Sequence, residues 1–433
     1  MPFKSLGLSD PLVKGILATG YTAPTQIQAE AIPAAIEGRD IIACAQTGTG
    51  KTAAFVLPIL NRLCHEPRSK KPVIKALILT PTRELAVQIE TALKGYGRFT
   101  QIKSLTVYGG VSIQTQLKAL QKGVDIVVAT PGRLLDHMNR RSLDLRNTEV
   151  LVLDEADRMF DMGFINDVRK IVGTMPKKRQ TLLFSATMSD DIKALTTSIQ
   201  VDPKVIVVGQ QRNPIETITQ HVYHVKAEQK TDLLVHMLND GEMNSVLVFS
   251  RTKRGADKIA RRLDHAGVKT VTVHSDKTQS QRMKAMEGFR AGKFQVMVAT
   301  DVAARGIDIS GISHVINFDV PAYAEDYIHR IGRTGRAEAT GDAITFVSDD
   351  EKDYIKKIEK FISKKFKFEI YPGFDYAGFT PATSEAGIKS YALPKMAWSG
   401  KKGGGGGGRK SFGGGRSGGG RPSGGGRPGA RRR

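Results

Sequence analysis

The chain has 433 residues, 40% hydrophobic and 25% charged, with a formal net charge of +22. This excludes a wholly disordered chain and suits two cores better than one, while the charge points to a polyanion such as nucleic acid or a membrane surface. The two cysteines, Cys44 and Cys64, sit in apolar stretches away from any Cys or His cluster with metal spacing, which argues against a disulfide framework or zinc site and for a reducing compartment.

Met1 to Asp10 lacks the features of a secretory signal, and no later apolar run could span a bilayer, so a cytoplasmic protein without a membrane partner is expected. Asp40–Ala45, Ala76–Thr80, Asp125–Thr130, Val150–Asp154 and Thr181–Ser185 read as buried strands, with helical patterns such as Arg83–Lys94 and Ser112–Lys122 between them. The alternation predicts an α/β fold: a parallel sheet flanked by helices, with ligands beyond the carboxyl ends of the strands. After a polar break at Gly209–Thr217 the pattern restarts, with strands at Ser245–Ser250, Thr270–His274, Gln295–Thr300, His314–Phe318 and Ala343–Ser348 and a last helix at Asp350–Phe366. The expected organisation is a first domain over 1–208, a linker over 209–217, a second domain over 218–370 and a basic Gly/Arg-rich tail over 371–433. From Lys401 to Arg433 there are ten Lys and Arg and no acid, which leaves +12 on the remainder. Such a tail cannot build a core and is expected to be disordered.

The strand ending at Ala45 runs into Ala45-Gln46-Thr47-Gly48-Thr49-Gly50-Lys51-Thr52. This is a phosphate-binding loop in the strand, loop, helix context it needs. Glycines let backbone N–H groups approach phosphates, Lys51 reaches the β and γ oxygens, and the Thr52 hydroxyl can ligate Mg²⁺. An ordinary Gly-rich turn would need neither Lys51 nor Thr52. Ala45 stands where the strict pattern has Gly. Further on, Val150–Leu153 delivers Asp154-Glu155-Ala156-Asp157 at its carboxyl end. There Asp154 would hold Mg²⁺ through water and Glu155 would orient or deprotonate the attacking water. The competing reading, a helix N-terminus with acids favoured by the dipole, explains the charges alone.

Over roughly Phe3 to Phe368 the chain resembles the DEAD-box RNA helicases, most like their bacterial RhlE-type branch. The resemblance implies two tandem RecA-like domains that close on ATP and single-stranded RNA. It makes Gly20–Gln28, with Phe3 upstream, the adenine-recognising segment, in which Gln28 addresses the base edge. It assigns Pro81, Thr82, Arg83, Gly110, Thr130, Pro131, Gly132 and Arg133 in the first domain, and Arg251, Gln279, Arg282, Thr300 and Arg305 in the second, to RNA. Hydroxyls, bared N–H groups, helix N-termini and Arg suit a reader of the backbone. Ser185 and Thr187 would couple hydrolysis to unwinding. Asp301 and Gly306 would contact nucleotide, while Arg333 and Arg336 would reach the γ-phosphate as arginine fingers, with His329 beside them. Ser275 departs from the Gly usual in the family, which puts the turn before Gln279 in doubt if it needs positive φ.

The expected cofactors are ATP and Mg²⁺. RNA is the expected partner, and ribosome or RNA-degradation assemblies are candidate protein partners. ATP-dependent unwinding leads; an ATP-gated RNA clamp or annealing chaperone and a DNA helicase are the alternatives, since all share these motifs.

Overall fold

The structure is a computed structural model, and it describes residues 2–45, 48–66, 73–208, 218–240, 243–301, 311–335 and 341–382. Gln46, Thr47, Arg305, Gly306 and Arg336, the expected linker and residues 383–433 of the expected tail lie outside these residues.

Two seven-stranded parallel sheets carry the fold. The first contains β1 (Ile41–Ala45), β2 (Ala76–Leu79), β3 (Ser104–Val107), β4 (Ile126–Ala129), β5 (Val150–Leu153), β6 (Gln180–Ser185) and β7 (Lys204–Val208), in the order β3-β4-β2-β5-β6-β1-β7. The second contains β8 (Ile218–His224), β9 (Val246–Phe249), β10 (Thr270–Val273), β11 (Val296–Ala299), β12 (His314–Asn317), β13 (Gly341–Val347) and β14 (Phe368–Glu369), in the order β10-β11-β9-β12-β13-β8-β14. Renumbered from its own first strand, the second order is identical to the first. The expected tandem RecA-like architecture is what is observed.

Strands buried on both faces split their side chains between two cores, as their period of two requires. In β1 and β5, Ile41, Ala43, Val150 and Val152 enter one cluster, and Ile42, Leu151 and Leu153 enter the other. In β9, Val246 and Val248 face one core of the second sheet, while Leu247 and Phe249 face the other.

The packed chain continues past residue 370, where the tail was expected to start. Tyr376 is buried, and Tyr371, Phe374 and Phe379 pack against the core formed by Tyr223, Val246 and Val248. The Ala382 N–H donates to His224 Nδ1 at 2.8 Å. Four aromatic side chains supply enough apolar area to order a segment that its Pro and Gly residues suggested was loose.

Candidate active site

Three motifs meet because their strands are neighbours: β5, β6 and β1 lie side by side in parallel and in register. Their carboxyl ends therefore deliver Asp154, Ser185 and the phosphate loop to one edge of the sheet. Lys51 opens the helix Lys51–His65 and is buried, with its Nζ donating to the Ala45 carbonyl at 2.8 Å. Gly50 sits at φ +93°, where a Cβ would lie 2.4 Å from Gln28 Nε2, so only glycine fits.

Gln28 is buried. Its Nε2 donates to the Gly50 carbonyl at 3.1 Å, and its Oε1 accepts from the Thr25 N–H at 3.1 Å. The residue expected to address adenine thus also braces the phosphate loop. Phe3 is buried among Leu6, Leu8 and Leu12, so its ring belongs to the core here and offers no open face for a base.

Asp154 is buried, and burial pushes its carboxyl up to about 7, with the Lys51 charge pulling it down and Glu155 raising it further. A carboxylate so desolvated has most to gain from a divalent cation. Glu155 stands at φ 52°, ψ 54°, a left-handed conformation that costs a non-glycine residue energy and is concentrated at functional sites. Its Oε2 accepts from Arg158 Nη1 at 2.6 Å. Burial works to raise the Glu155 pKa, but Arg158, Lys51 and Arg333 together hold it below the usual value.

Asp157, quoted in the sequence without a role, links two motifs. Its Oδ2 accepts from the N–H groups of Ala186 and Thr187, each at 2.9 Å, and from the Thr187 hydroxyl at 3.2 Å. The Asp157 N–H in turn donates to Ser185 Oγ at 3.2 Å. The Ser185 to Thr187 turn and the acidic turn are therefore tied directly to each other.

From the second sheet, the helix Ala324–Ile331 brings His329, followed by the buried Arg333, whose Nε donates to the His329 carbonyl at 3.1 Å. Burial lowers the His329 pKa, and Arg158 across the site lowers it further, so the ring is neutral at pH 7. The unfolded chain then binds more protons than the folded one below 6.5, and the stability present above that value is lost as pH falls through it. His329→Asn should therefore lose less melting temperature than the parent between about pH 7.5 and about pH 5.5. Equal losses in a thermal melt series would show that His329 titrates normally. His137 and His314 are shifted down by burial too, so the parent's acid loss is shared.

Asp301 is fixed in place by an arginine. Arg330, nearly fully buried, grips both of its oxygens at 2.6 and 2.7 Å, and also donates to Asn317 Oδ1 at 3.2 Å and the Asp319 carbonyl at 2.7 Å. Arg330 carries no signal in the sequence that separates it from the neighbouring arginines.

The expected RNA residues of the first domain form one stretch. Thr82 caps the helix Arg83–Tyr96 by accepting from the Leu85 N–H at 3.3 Å, beside buried Pro81. Arg83 lies against Gly110, at φ +83°, where a Cβ would sit 2.1 Å from its Nη1. Thr130 is buried at the N-cap of the helix Pro131–Asn139, and Gly132 is exposed in its first turn. Arg133 donates to the Val111 carbonyl at 3.1 Å and to Gln116 Oε1 at 3.2 Å. In the second domain, Gln279 and Arg282 both reach Glu84 Oε1 at 3.0 Å, a buried contact between the domains that the sequence did not reveal. Arg251 Nη2 donates to Glu351 Oε1 at 2.7 Å, and Thr300 follows β11 directly, with its N–H on the Val273 carbonyl at 3.4 Å. Ser275 is not among the positive-φ residues, so the missing glycine does not strain that turn.

Residues 25–195 match the DEAD/DEAH box helicase family and residues 229–338 the helicase conserved C-terminal domain. The chain is 44% identical over 375 residues to the DEAD-box ATP-dependent RNA helicase CshA of Bacillus cereus, covering 87% of this chain and 71% of that protein. The same figures hold for the ATP-dependent RNA helicase CshA of Listeria monocytogenes. Among solved structures it resembles S. cerevisiae Dbp5 bound to RNA and ADP BeF3, with 31% identity, a TM-score of 0.72 and coverage of 85% and 95% of the two chains. Mss116p bound to ssRNA and AMP-PNP aligns at 29% identity and a TM-score of 0.73, over 83% and 76% of the chains.

Proposed function

This chain belongs to the DEAD-box family of ATP-dependent RNA helicases, and we propose how its residues share the work of local RNA unwinding. The observation that carries the assignment is the joining of Lys51, Asp154, Glu155 and Ser185 at the ends of three adjacent strands, with Arg333 and His329 brought to them from the second sheet.

Lys51 and the loop N–H groups hold the phosphates of ATP, and Thr52 and Asp154 hold Mg²⁺. The bound cation neutralises charge on the transferring phosphoryl group. The buried Asp154 and the two left-handed glycines, Gly48 and Gly50, fit that magnesium nucleotide. Gln28 addresses the adenine edge while bracing Gly50, Glu155 accepts the proton of the attacking water, and Arg333 stabilises the transferring group once the domains meet. Asp157 passes the state of the acidic turn to Ser185 and Thr187.

For RNA we assign Arg83, Gly110, Thr130, Gly132 and Arg133 to one strand's phosphates, joined by Arg251, Gln279, Arg282 and Thr300. Gln279 and Arg282 also tie the domains together through Glu84. Closure that bends the strand out of duplex geometry separates it from its partner. The Gly/Arg tail adds unspecific RNA affinity. We place the protein in the RhlE-type branch on its basic Gly/Arg-rich tail, although the bacterial relatives named here are CshA proteins. Cytoplasmic location and ribosome or RNA-degradation partners are part of the same reading; no described helix is long and apolar enough to cross a membrane.

The test is ATP turnover with RNA and with DNA of one sequence, beside displacement of a short RNA duplex. RNA should stimulate turnover and DNA should not, because 2′-hydroxyl contacts distinguish them. Displacement should require ATP. Equal stimulation by DNA would defeat the assignment to RNA.

A further inference from the structure

The helix Lys352–Ile362 starts at the carboxyl-end edge of the second sheet, just past Glu351, the residue that holds Arg251. It packs Ile355, Ile358 and Ile362 inward. Tyr354, Lys357 and Phe361 follow at i, i+3 and i+7 and so share an adjoining face. That face is continuous with Arg251: its guanidinium carbon lies 5.3 Å from the centre of the Tyr354 ring, and Lys357 Nζ lies 5.7 Å from the same centre. About 10 Å further along the helix axis, Phe361 is 49% exposed.

Between residues 352 and 367 there are seven lysines and two acids, and both acids are engaged. Asp353 pairs with Lys356 at 3.3 Å, and Glu359 pairs with Lys365 at 3.6 Å while accepting from the Phe366 N–H at 2.8 Å. Among the described residues, exposed Lys357, Lys360, Lys364 and Lys367 make no ion pair. A helix face that leaves a large aromatic ring in water among unneutralised cations suits a ligand with both a flat apolar surface and negative charge. An unpaired base with its phosphate has both, whereas a duplex hides its base faces.

We propose that this face is an accessory platform for single-stranded RNA leaving the core site past Arg251, with a base stacked on Phe361 and neighbouring phosphates met by Lys357, Lys360 and Lys364. The proposal rests on the reading of Arg251 as an RNA contact.

The experiment compares the full chain with Phe361→Ala and with Lys357→Gln/Lys360→Gln, using one single strand that fills only the core site and one that extends beyond it. On the extended strand, Phe361→Ala should weaken binding by roughly fivefold or more, the lower end for loss of one stacked base. The double variant should flatten the slope of log K against log salt by about 0.7 for each phosphate that the two lysines no longer neutralise. Binding of the short strand, melting temperature and saturated ATP turnover should stay at parental values. Parental affinity and salt slope on the extended strand would overturn the platform, as would an equal loss on both strands, which would mean that the helix merely supports the core site. Binding of the parent but not the variants to phosphatidylserine vesicles, with RNA affinity unchanged, would make the face a lipid contact and also overturn it. A parent that binds neither strand would instead defeat the RNA reading itself, and the platform with it.

Discussion

Glu155→Gln should lower the maximal ATPase rate by about 10² to 10⁴, the span that loss of a positioned general base covers, while ATP still binds. The side chain keeps its shape, so Arg158 retains an oxygen to donate to, and Lys51 and Thr52, the residues proposed to hold the nucleotide, are untouched. What the amide lacks is the capacity to accept a proton from water. Arg158, Lys51 and Arg333 keep the Glu155 carboxyl below the usual range against the opposing effect of burial, so at neutral pH the base is already ionised. The acid limb of a turnover profile should accordingly not reflect protonation of Glu155 until below the ordinary glutamate value of 4.5. Nucleotide titration beside single-turnover hydrolysis checks both halves. Parental hydrolysis would remove Glu155 from the reaction. Lost ATP binding would make it a structural anchor of the strained turn.

The strands that the sequence showed plainly are the central ones. β2, β4, β5, β9 and β11 are buried throughout and appear as short unbroken apolar runs. The strands it did not show are mainly those at sheet edges. β3 and β7 each face a neighbour on one side only: in β3, Ser104 and Thr106 break up the apolar positions, whereas β7 carries the short run Val205–Val208, in which Val205 and Val207 are exposed at the edge and only Ile206 is buried. β8 escaped for a different reason: its Ile-Thr-Gln-His-Val-Tyr-His has four polar side chains among seven, three of them consecutive, although β13 and β14 pair with it on both sides.

The site divides the same way. Lys51, Asp154 and Glu155 were legible because phosphate and metal chemistry demands those residue types directly after a strand. Glu84, Asp157, Arg158 and Arg330 act on other residues of the chain, and a residue that only orients a neighbour leaves no spacing of its own. Asp301 shows the difference: the family resemblance implies a nucleotide contact for it, and folding adds an arginine from 29 residues away that engages both its oxygens.

Arg330 and Arg333 lie one helical turn apart and should fail in opposite ways. Arg333→Ala should reduce RNA-stimulated turnover by ~10³-fold or more, as loss of an arginine finger does, with a smaller loss of melting temperature than Arg330→Ala and little change in RNA affinity without nucleotide. Its Nε donates to the His329 carbonyl at 3.1 Å, a local bond worth about 1 kcal/mol, and its charge helps to lower the Glu155 pKa. Arg330→Ala should instead destabilise the second domain by several kcal/mol. Breaking a buried ion pair costs about 3 to 5 kcal/mol, here toward the lower end because the Asp301 side chain keeps 23% of its surface in water. The same truncation strips Asn317 and the Asp319 carbonyl of a donor and uncovers the face of Phe249, over which the guanidinium sits at 5.0 Å. Thermal melts and ATP turnover measured on both variants separate the two roles. If Arg333→Ala loses RNA binding and turnover in equal measure, Arg333 belongs to a basic RNA patch; if Arg330→Ala melts with the parent, the Asp301 pair does not hold the domain together.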